Sequence, residues 1–233
     1  MNQSFCWHRK AKDEWDDRAD FWHERSKKMW DSGSRQSIIP FIRNHLKQGS
    51  NILDVGCADG YGAYKLHQNG YDVTGVDLST VMIRQARAGL QHTGIEFLQG
   101  DACDLPAASK STDGLMAINV LEWTETPSQA LQEFSRVLKK DGLLFAGILG
   151  PTAGPRQNSY ARLQGQPTIC NTMMPWEFRQ LASEYGFMCD GGFGVYKEGV
   201  SESHYQGLPD DLKQALTFMW VFMLRKAGDS HDG

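Results

Sequence analysis

The sequence predicts an α/β fold built on a doubly wound, mostly parallel β-sheet. Between residues 51 and 150, short apolar segments alternate with segments whose apolar residues recur at helical spacing, as in βαβ units. Three of these apolar segments also reach an acidic residue near their carboxyl end, where parallel strands meet at one edge of a sheet. Because βαβ crossovers are right-handed, we expect helices on both faces.

The first fifty residues are predicted to be helical. Trp15, Trp22 and Met29 recur at roughly helical spacing within AKDEWDDRADFWHERSKKMWDSG, which we interpret as one helix. A second helix is expected in SRQSIIPFIRNHLKQGS, where Pro40 kinks or delays it. We therefore expect residues 1–50 to form an N-terminal helical cap.

Five strands and three helices are predicted between the cap and residue 150. The strands are NILDVG, YDVTGVD, IEFLQGD, DGLMAINVLEW and LLFAGILG. The helices are YGAYKLHQNG, TVMIRQARAGL and PSQALQEFSRVLKKDG, and Ser79 is the expected N-cap of the second. Gly142 is expected to end the third helix.

The segment after the fifth strand interrupts this alternation. PTAGPRQNSYARLQGQPTICNTM is rich in Pro, Gly, Asn and Gln, and a connection this long is usually functional. We predict a lid or substrate insertion at about residues 151–174 within a core domain that spans residues 51–233. A helix in PWEFRQLASEYGF and strands in MCDGGFGVYKEGV and QALTFMWVFMLRKA follow, and the polar tail AGDSHDG is expected to be frayed.

Composition argues against several classes of protein. The net charge of −4 gives no electrostatic indication of a nucleic-acid partner, and no apolar run approaches the ~20 residues that span a bilayer. The first residues lack the apolar core of a secretory signal, so we expect a cytoplasmic protein without a membrane partner. Five scattered cysteines and seven dispersed histidines indicate neither a disulfide framework nor a metal site.

The turn ILDVGCADGYG is built to hold a ligand. Gly56 and Gly60 allow a sharp turn and a close approach, and the helix that follows directs free N–H groups at the ligand. Asp77 ends the second strand, where a carboxylate accepts hydrogen bonds from a ribose diol. Asp101 ends the third strand, where it is placed to accept from an adenine amino group, and Ala102 offers a backbone N–H to a ring nitrogen.

These motifs, in this order, resemble those of class I S-adenosylmethionine-dependent methyltransferases, and they are most similar to the small-molecule branch that includes quinone-biosynthesis enzymes. ILDVGCADG is similar to the first motif of that family, VTGVDLS to the second and LQGDACDLP to the third. STDGLMAINVLEW resembles the fourth motif, and EFSRVLKKDGLLF the stretch that leads into the fifth strand. The resemblance covers residues 51 to 150.

The resemblance implies a Rossmann-like, seven-stranded, mostly parallel sheet whose final strand is antiparallel. It implies S-adenosyl-L-methionine as cofactor and methyl transfer to a small-molecule acceptor by in-line displacement. The cofactor-binding residues it implies are Asp54, Gly56, Cys57, Ala58, Gly60, Asp77, Leu78, Met82, Gly100, Asp101, Ala102, Asn119 and Val120.

The acid at Asp54 favours this cofactor over a dinucleotide, because a carboxylate attracts the methionine ammonium and repels a pyrophosphate. Two residues depart from the family pattern: Ala58 replaces a glycine, and Trp123 stands where many relatives have histidine. Ser34 and Arg35 in the cap either meet the cofactor carboxylate or are solvated.

No general base is identifiable, and catalytic residues are left unassigned, although Glu122 and His204 are candidates. Tyr160, Arg162 and Tyr205 are weaker candidates for substrate contacts. Two other functions stay open: a non-catalytic module that binds the cofactor or its demethylated product, and an NAD-dependent oxidoreductase on the same topology. The acceptor, its reacting atom and the oligomeric state are not defined by the sequence.

Overall fold

The computed structural model describes residues 5–227, and it confirms the predicted fold class. Seven strands form one sheet in the order β3-β2-β1-β4-β5-β7-β6. Strands β1 to β5 pair in parallel, whereas β7 is antiparallel to both β5 and β6. Except for Ala227, the predicted polar tail lies outside the described residues. The strands are β1 (Asn51–Val55), β2 (Asp72–Asp77), β3 (Glu96–Gln99), β4 (Thr112–Ile118), β5 (Leu138–Leu149), β6 (Phe187–Tyr196) and β7 (Thr217–Lys226).

Nine helices are described in residues 5–227, and none of them is long and apolar enough to cross a membrane. Two further stretches, Leu121–Trp123 and Gly154–Gln164, are 3-10 helical. The helices are α1 (Trp7–Asp17), α2 (Ala19–Asp31), α3 (Ile38–His45), α4 (Tyr61–Gln68), α5 (Thr80–Leu90), α6 (Pro127–Val137), α7 (Pro175–Glu184), α8 (Glu202–Tyr205) and α9 (Asp210–Ala215).

The sheet is covered on both faces, which explains why its central strands are continuous apolar runs. Helices α3, α4 and α5 pack one face, where Ile42 and Leu66 are fully buried beside Phe145. Helices α6 and α7 cover the other face through Phe134 and Phe178. The strand order reverses between β1 and β4, which is where an open α/β sheet binds its ligand.

Several predicted elements have different bounds in the structure, and three show why. The first predicted helix is two helices, because Arg18 has φ −92° and ψ 0° between α1 and α2. Helix α6 ends at Val137 instead of near Gly142, since Leu138 is already extended and pairs with Thr112 of β4. Strand β4 ends at Ile118 because Asn119 is left-handed, with φ +56°.

Helices α1 and α2 are held over the carboxyl edge of the sheet by hydrogen bonds. Oδ1 of Asp16 accepts from Oγ of Ser79 at 2.6 Å and from the backbone N–H of Val81 at 3.2 Å, which satisfies donors at the start of α5. Oγ of Ser26 donates to Oδ1 of Asp59 at 2.7 Å, in the turn after β1. The first two helices therefore contact the two turns that the sequence predicts to bind the ligand.

Candidate functional site

One cavity of about 450 Å³ opens at the carboxyl edge of the sheet, between the strand ends and helices α1 and α2. That volume is within the ~300–1,000 Å³ of small-molecule sites. Ten of the thirteen predicted cofactor residues line it. They are Gly56, Ala58, Asp77, Leu78, Met82, Gly100, Asp101, Ala102, Asn119 and Val120.

The other three predicted residues do not line the cavity. Cys57 is buried in the core, where its Sγ limits the space at Gly75. Gly60 is the N-cap of α4 with φ +81°, and a Cβ there would lie 2.7 Å from the ring of Phe97. Gly60 thus shapes the turn without lining the cavity. Asp54 is buried beside the cavity, as described below.

Asp77 is held in one orientation by backbone N–H groups of two turns. Its Oδ2 accepts from the N–H of Ala58 at 2.8 Å, and its Oδ1 accepts from the N–H of Ser79 at 2.9 Å. Burial raises the pKa of Asp77 to about 6, against the opposing effect of these two backbone N–H groups. Above that pH, each carboxylate oxygen has a lone pair left for a ligand hydroxyl.

Asp101 already has two partners in the structure. Its Oδ1 accepts from the N–H of Cys103 at 2.9 Å, within the turn after β3. Its Oδ2 lies 2.8 Å from Nδ1 of His8, which helix α1 brings across from the other side of the cavity. Asp101 is thus oriented both by its own turn and by the first helix.

Two turns at the cavity have left-handed backbone. Gly56 has φ +69°, and a Cβ there would collide with a methyl of Val120. Asn119, after β4, has φ +56°, which asparagine tolerates better than most residues. Ala58, the departure from the family pattern, has φ +50°, a conformation that favours glycine.

A buried acid and a buried cation lie beside each other without pairing. Arg35 lines the cavity and is 6% exposed, yet its guanidinium has no hydrogen bond or ion pair within 4.0 Å among residues 5–227. The guanidinium of Arg35 lies over the rings of Trp22 at 4.9 Å and Trp30 at 5.4 Å. Oδ2 of Asp54, which is 3% exposed, likewise has no hydrogen-bond partner there.

Burial shifts the pKa values of this acid and cation in opposite directions. It raises the pKa of Asp54 to about 8, although the charge of Arg35 opposes the shift. It lowers the pKa of Arg35 to about 10, which still leaves the guanidinium charged at neutral pH. Nε1 of Trp22, also on the cavity wall, lacks a partner within the described part of the chain. This corner offers two donors and one acceptor to a zwitterionic ligand.

Aromatic side chains close the rest of the cavity. Trp15 packs edge-to-face against Trp22 at 6.1 Å and against Trp123 at 5.3 Å. Nε1 of Trp7 donates to the carbonyl of Trp123 at 2.8 Å, which ties α1 to the turn after β4. Phe218, at the start of β7, also lines the cavity. Periodicity alone did not distinguish these residues from ordinary core aromatics.

The insertion after β5 reaches the cavity through two residues only among those described, Pro155 and Asn158. Tyr160 and Arg162 do not line it, and Tyr160 is 63% exposed. His204 and Tyr205 also lie outside the cavity: Nδ1 of His204 pairs with Oγ of Ser201, and Tyr205 stacks on another tyrosine. These four candidates are not brought to the site.

Glu122 is fully buried and has a structural partner. Its Oε1 accepts from the N–H of Leu149 at 2.5 Å, and burial raises its pKa. Glu122 does not line the cavity, so the structure does not bring it to a substrate. Within residues 5–227, no group of three or more His, Cys, Asp or Glu side chains is arranged to hold a metal ion.

Comparison with known proteins identifies a related domain. Residues 53–146 match the family profile described as a methyltransferase domain. Demethylmenaquinone methyltransferase of Renibacterium salmoninarum is 32% identical over 126 residues, which cover 53% of this chain and 52% of the relative. Malonyl-[acyl-carrier protein] O-methyltransferase of Pectobacterium atrosepticum is 30% identical over 118 residues, which cover 50% and 46%. The chain thus spans about half the length of the curated relatives it matches.

The fold itself extends beyond the matched segment. A chain in the complex between the Haloferax volcanii Trm112 methyltransferase activator and a methyltransferase superposes with a TM-score of 0.74. It is 20% identical, and the alignment covers 96% of this chain and 100% of that one. At this identity the likeness concerns the fold, including the strands and helices on either side of residues 53–146.

Proposed function

Since the chain carries a class I S-adenosylmethionine-dependent methyltransferase domain, we propose that it transfers the methyl group of this cofactor to a small-molecule acceptor by in-line displacement. The observation that carries the proposal is the unpaired couple of Arg35 and Asp54 beside a cavity with two strand-end acids. The methionine end of the cofactor has one carboxylate and one ammonium. The carboxylate would pair with the charged guanidinium of Arg35, and the ammonium would favour the ionised form of Asp54, whose pKa burial raises to about 8.

The residues present fit the ribose, the adenine and the carboxylate of the cofactor. We assign Asp77 to the ribose hydroxyls, because its two oxygens are already fixed by backbone donors. Asp101 and Ala102 are assigned to the adenine. Arg35 and the indole N–H of Trp22 are assigned to the carboxylate, as donors to an anion. Gly56 has no side chain that would obstruct the approach.

The bound cofactor would supply an electrophilic sulfonium methyl group. The chain would position the acceptor against this methyl group and exclude water from it. Both effects reduce the barrier of a displacement. The indole rings of Trp15 and Trp123 form an apolar wall in which the reacting groups are shielded. No described side chain on that wall is a free base, so the proposed mechanism removes no proton through the protein.

A small molecule is the proposed acceptor because the cavity is of small-molecule size and mostly apolar in its lining. By their names, the two relatives act on different acceptors, so they do not identify one for this chain. We propose a cytoplasmic location, in which the five free thiols would remain reduced.

Calorimetry with S-adenosylhomocysteine tests the proposal. We expect the parent protein to bind this product, and Arg35→Gln to bind it at least about tenfold more weakly, as for one charge-assisted contact. Arg43→Gln is the matched control, since Arg43 is an exposed arginine in the next helix. Failure of the parent to bind S-adenosylhomocysteine, with binding of NADH instead, would favour the oxidoreductase.

A transfer assay separates an enzyme from a binding module. Protein incubated with methyl-labelled S-adenosylmethionine and a metabolite extract should release a labelled small molecule. Binding of S-adenosylhomocysteine without transfer to any fraction would favour the non-catalytic alternative.

A further inference from the structure

Part of the cavity lies beyond the residues assigned to the cofactor, and we name it the acceptor chamber. It is lined by residues of α1, of the break between α1 and α2, of the segments after β4 and β5, and of the start of β7: Trp15, Arg18, Trp123, Asn158 and Phe218. The inference below rests on the proposed function, because it concerns the molecule that receives the methyl group.

The shape and polarity of the chamber favour an apolar ring. Trp15 and Trp123 meet edge-to-face at 5.3 Å, and Leu149 at the end of β5 is 1% exposed. Trp123 is 8% exposed, and its carbonyl accepts a hydrogen bond from Nε1 of Trp7, which holds it in place. Rigid aromatic walls of this kind accept flat rings in offset or edge-to-face packing.

The charge of the chamber comes from Arg18. One of its guanidinium nitrogens lies 3.2 Å from Oε2 of Glu14 and 3.1 Å from Oδ1 of Asn158, at the mouth between α1 and the insertion after β5. The same guanidinium lies over the ring of Trp15 at 5.5 Å. Arg18 is half-buried, so it keeps donor capacity for a ligand that enters the mouth.

The acids that line the cavity belong to the end of β2 and to the segments after β3 and β4. Among the described residues that line it, the acids are Asp77, Asp101 and Glu125. The first two are assigned to the cofactor. Glu125 is exposed and precedes Thr126, whose carbonyl accepts from Sγ of Cys103 beside Asp101. Glu14 does not line the cavity and is already ion-paired with Arg18, so no described acid in the lining of the chamber itself is left to bind a cationic acceptor.

Tryptophan-lined pockets can also bind cations on the ring faces, but here arginine side chains already lie over those faces. The guanidinium of Arg18 lies over Trp15, and that of Arg35 lies over Trp22 at 4.9 Å. A cationic acceptor would find these two ring faces already covered by guanidinium groups, whereas a cation–π site needs free ring faces. The chamber thus disfavours amines and favours anions.

We propose that the methyl acceptor is an apolar, ring-bearing molecule with an oxygen acid, either a carboxylate or an acidic phenolate, which Arg18 orients in the chamber. The acceptor loses its proton to water before it binds. An oxygen lone pair then forms the C–O bond to the methyl carbon as the S–C bond breaks, and that electron pair stays on sulfur. The sulfonium becomes a neutral thioether, the acceptor becomes a neutral ester or ether, and no protein base is needed.

Three probes test the proposal. They share the naphthalene ring system and differ in charge: 2-naphthoate is negative, 2-naphthol is neutral and 2-naphthylmethylamine is positive. Each is titrated calorimetrically into protein saturated with S-adenosylhomocysteine. We expect the naphthoate to bind at least about tenfold more tightly than the amine. In Arg18→Gln, we expect the affinity for naphthoate to fall about tenfold, with that for naphthol unchanged. Arg84→Gln, an exposed arginine of α5 outside the cavity, should leave all three affinities unchanged.

The outcomes separate this inference from the proposed function. If S-adenosylhomocysteine does not bind, the result contradicts both the proposed function and the proposed acceptor class. If it binds but the amine equals or exceeds the naphthoate, only the acceptor class is overturned. The same holds if Arg18→Gln weakens all three probes equally, or if none of the three binds to the saturated protein.

Discussion

Nδ1 of His8 lies 2.8 Å from Oδ2 of Asp101, so the first helix contacts an acid that the third strand places at the cavity. The two residues are 93 positions apart in sequence. The side chain of His8 is 54% exposed and that of Asp101 is 31% exposed, so the contact lies at the solvent edge. At such a position a pair adds little to stability, and it is better suited to holding α1 across the cavity.

Loss of this pair should alter ligand exchange more than stability. We expect His8→Ala to lower the free energy of unfolding by less than about 1 kcal/mol. Dissociation of S-adenosylhomocysteine should become several-fold faster in stopped-flow fluorescence, because α1 is held less firmly. His67→Ala, an exposed histidine of α4, is the control. An unchanged dissociation rate in His8→Ala would show that this contact does not retain the ligand.

Asp101 itself should matter for affinity. Asp101→Ala removes the proposed acceptor for the adenine amino group, and we expect S-adenosylhomocysteine to bind about tenfold more weakly or worse. Asp104→Ala changes an exposed acid in the same turn that does not line the cavity, so its affinity should match the parent. Equal affinity of Asp101→Ala and parent in calorimetry would show the adenine assignment to be wrong.

The half of the site that belongs to the sheet could be predicted from sequence. Local signals mark it: glycines after β1, and acids where β2 and β3 end. Parallel pairing aligns these ends at one edge, so Asp77 and Asp101 reach the same cavity without any knowledge of tertiary contacts. The motif resemblance and the sign of its charge predict Asp54 in the site, whereas the structure buries it beside Arg35 without bringing it to the cavity surface.

The part of the site that covers the edge of the sheet could not be predicted in the same detail. Trp15 and Trp123 meet across more than a hundred residues, and helical spacing identifies such residues as buried without saying what they face. The break at Arg18 lacks a Gly or Pro signal. The end of α6 at Val137 is imposed by pairing of Leu138 with β4, a tertiary contact that overrides the helical pattern of LKK.

The buried carboxyl of Asp54 should make stability depend on pH. Its pKa is about 8 in the folded protein and 3.8 without burial, so between these values the folded state holds a proton that the unfolded state has lost. The free energy of unfolding should therefore fall as pH rises toward 8. Between pH 6 and 8 we expect the parent to lose about 2 kcal/mol more than Asp54→Asn in urea titrations.

Asp113→Asn is the control for this pH dependence. The pKa of Asp113 is lowered, chiefly by its hydrogen bond from Lys139 acting against partial burial, so it is ionised in both states above pH 6. Its replacement should leave the slope between pH 6 and 8 as in the parent. A parent whose stability is flat over this range, or a slope in Asp54→Asn as steep as that of the parent, would contradict a protonated Asp54. The smaller slope that remains just above pH 6 belongs to Asp77, whose pKa is about 6.

Ala58→Gly should be close to neutral. The left-handed φ of +50° costs alanine about 1 kcal/mol that glycine does not incur. Against this, the methyl group of Ala58 packs with Ala19 and Met82, and its burial contributes about 0.8 kcal/mol. Ala63→Gly, at a fully buried helical position, has no such compensation and should destabilise by about 1–2 kcal/mol. Equal losses for both variants in thermal unfolding would refute the strain at Ala58.

Arg156 holds the segment after β5 and shows why that segment keeps its shape. Its guanidinium donates to the carbonyls of Gly150 at 2.7 Å and Thr172 at 3.0 Å, and also to those of Leu149 and Met173. The side chain is 9% exposed, so these carbonyls have little access to replacement water. Both ends of the predicted insertion are therefore joined through one side chain.

Arg156→Met should be the most destabilising of these substitutions. It keeps much of the side-chain volume but leaves buried carbonyls without donors, and we expect a loss of about 3 kcal/mol or more in the free energy of unfolding. Arg162→Met removes an exposed arginine from the same segment and should cost less than about 1 kcal/mol. Urea unfolding measures both. If the two losses are equal, Arg156 does not organise the insertion, and Asn158 would have to be positioned at the chamber mouth by other contacts.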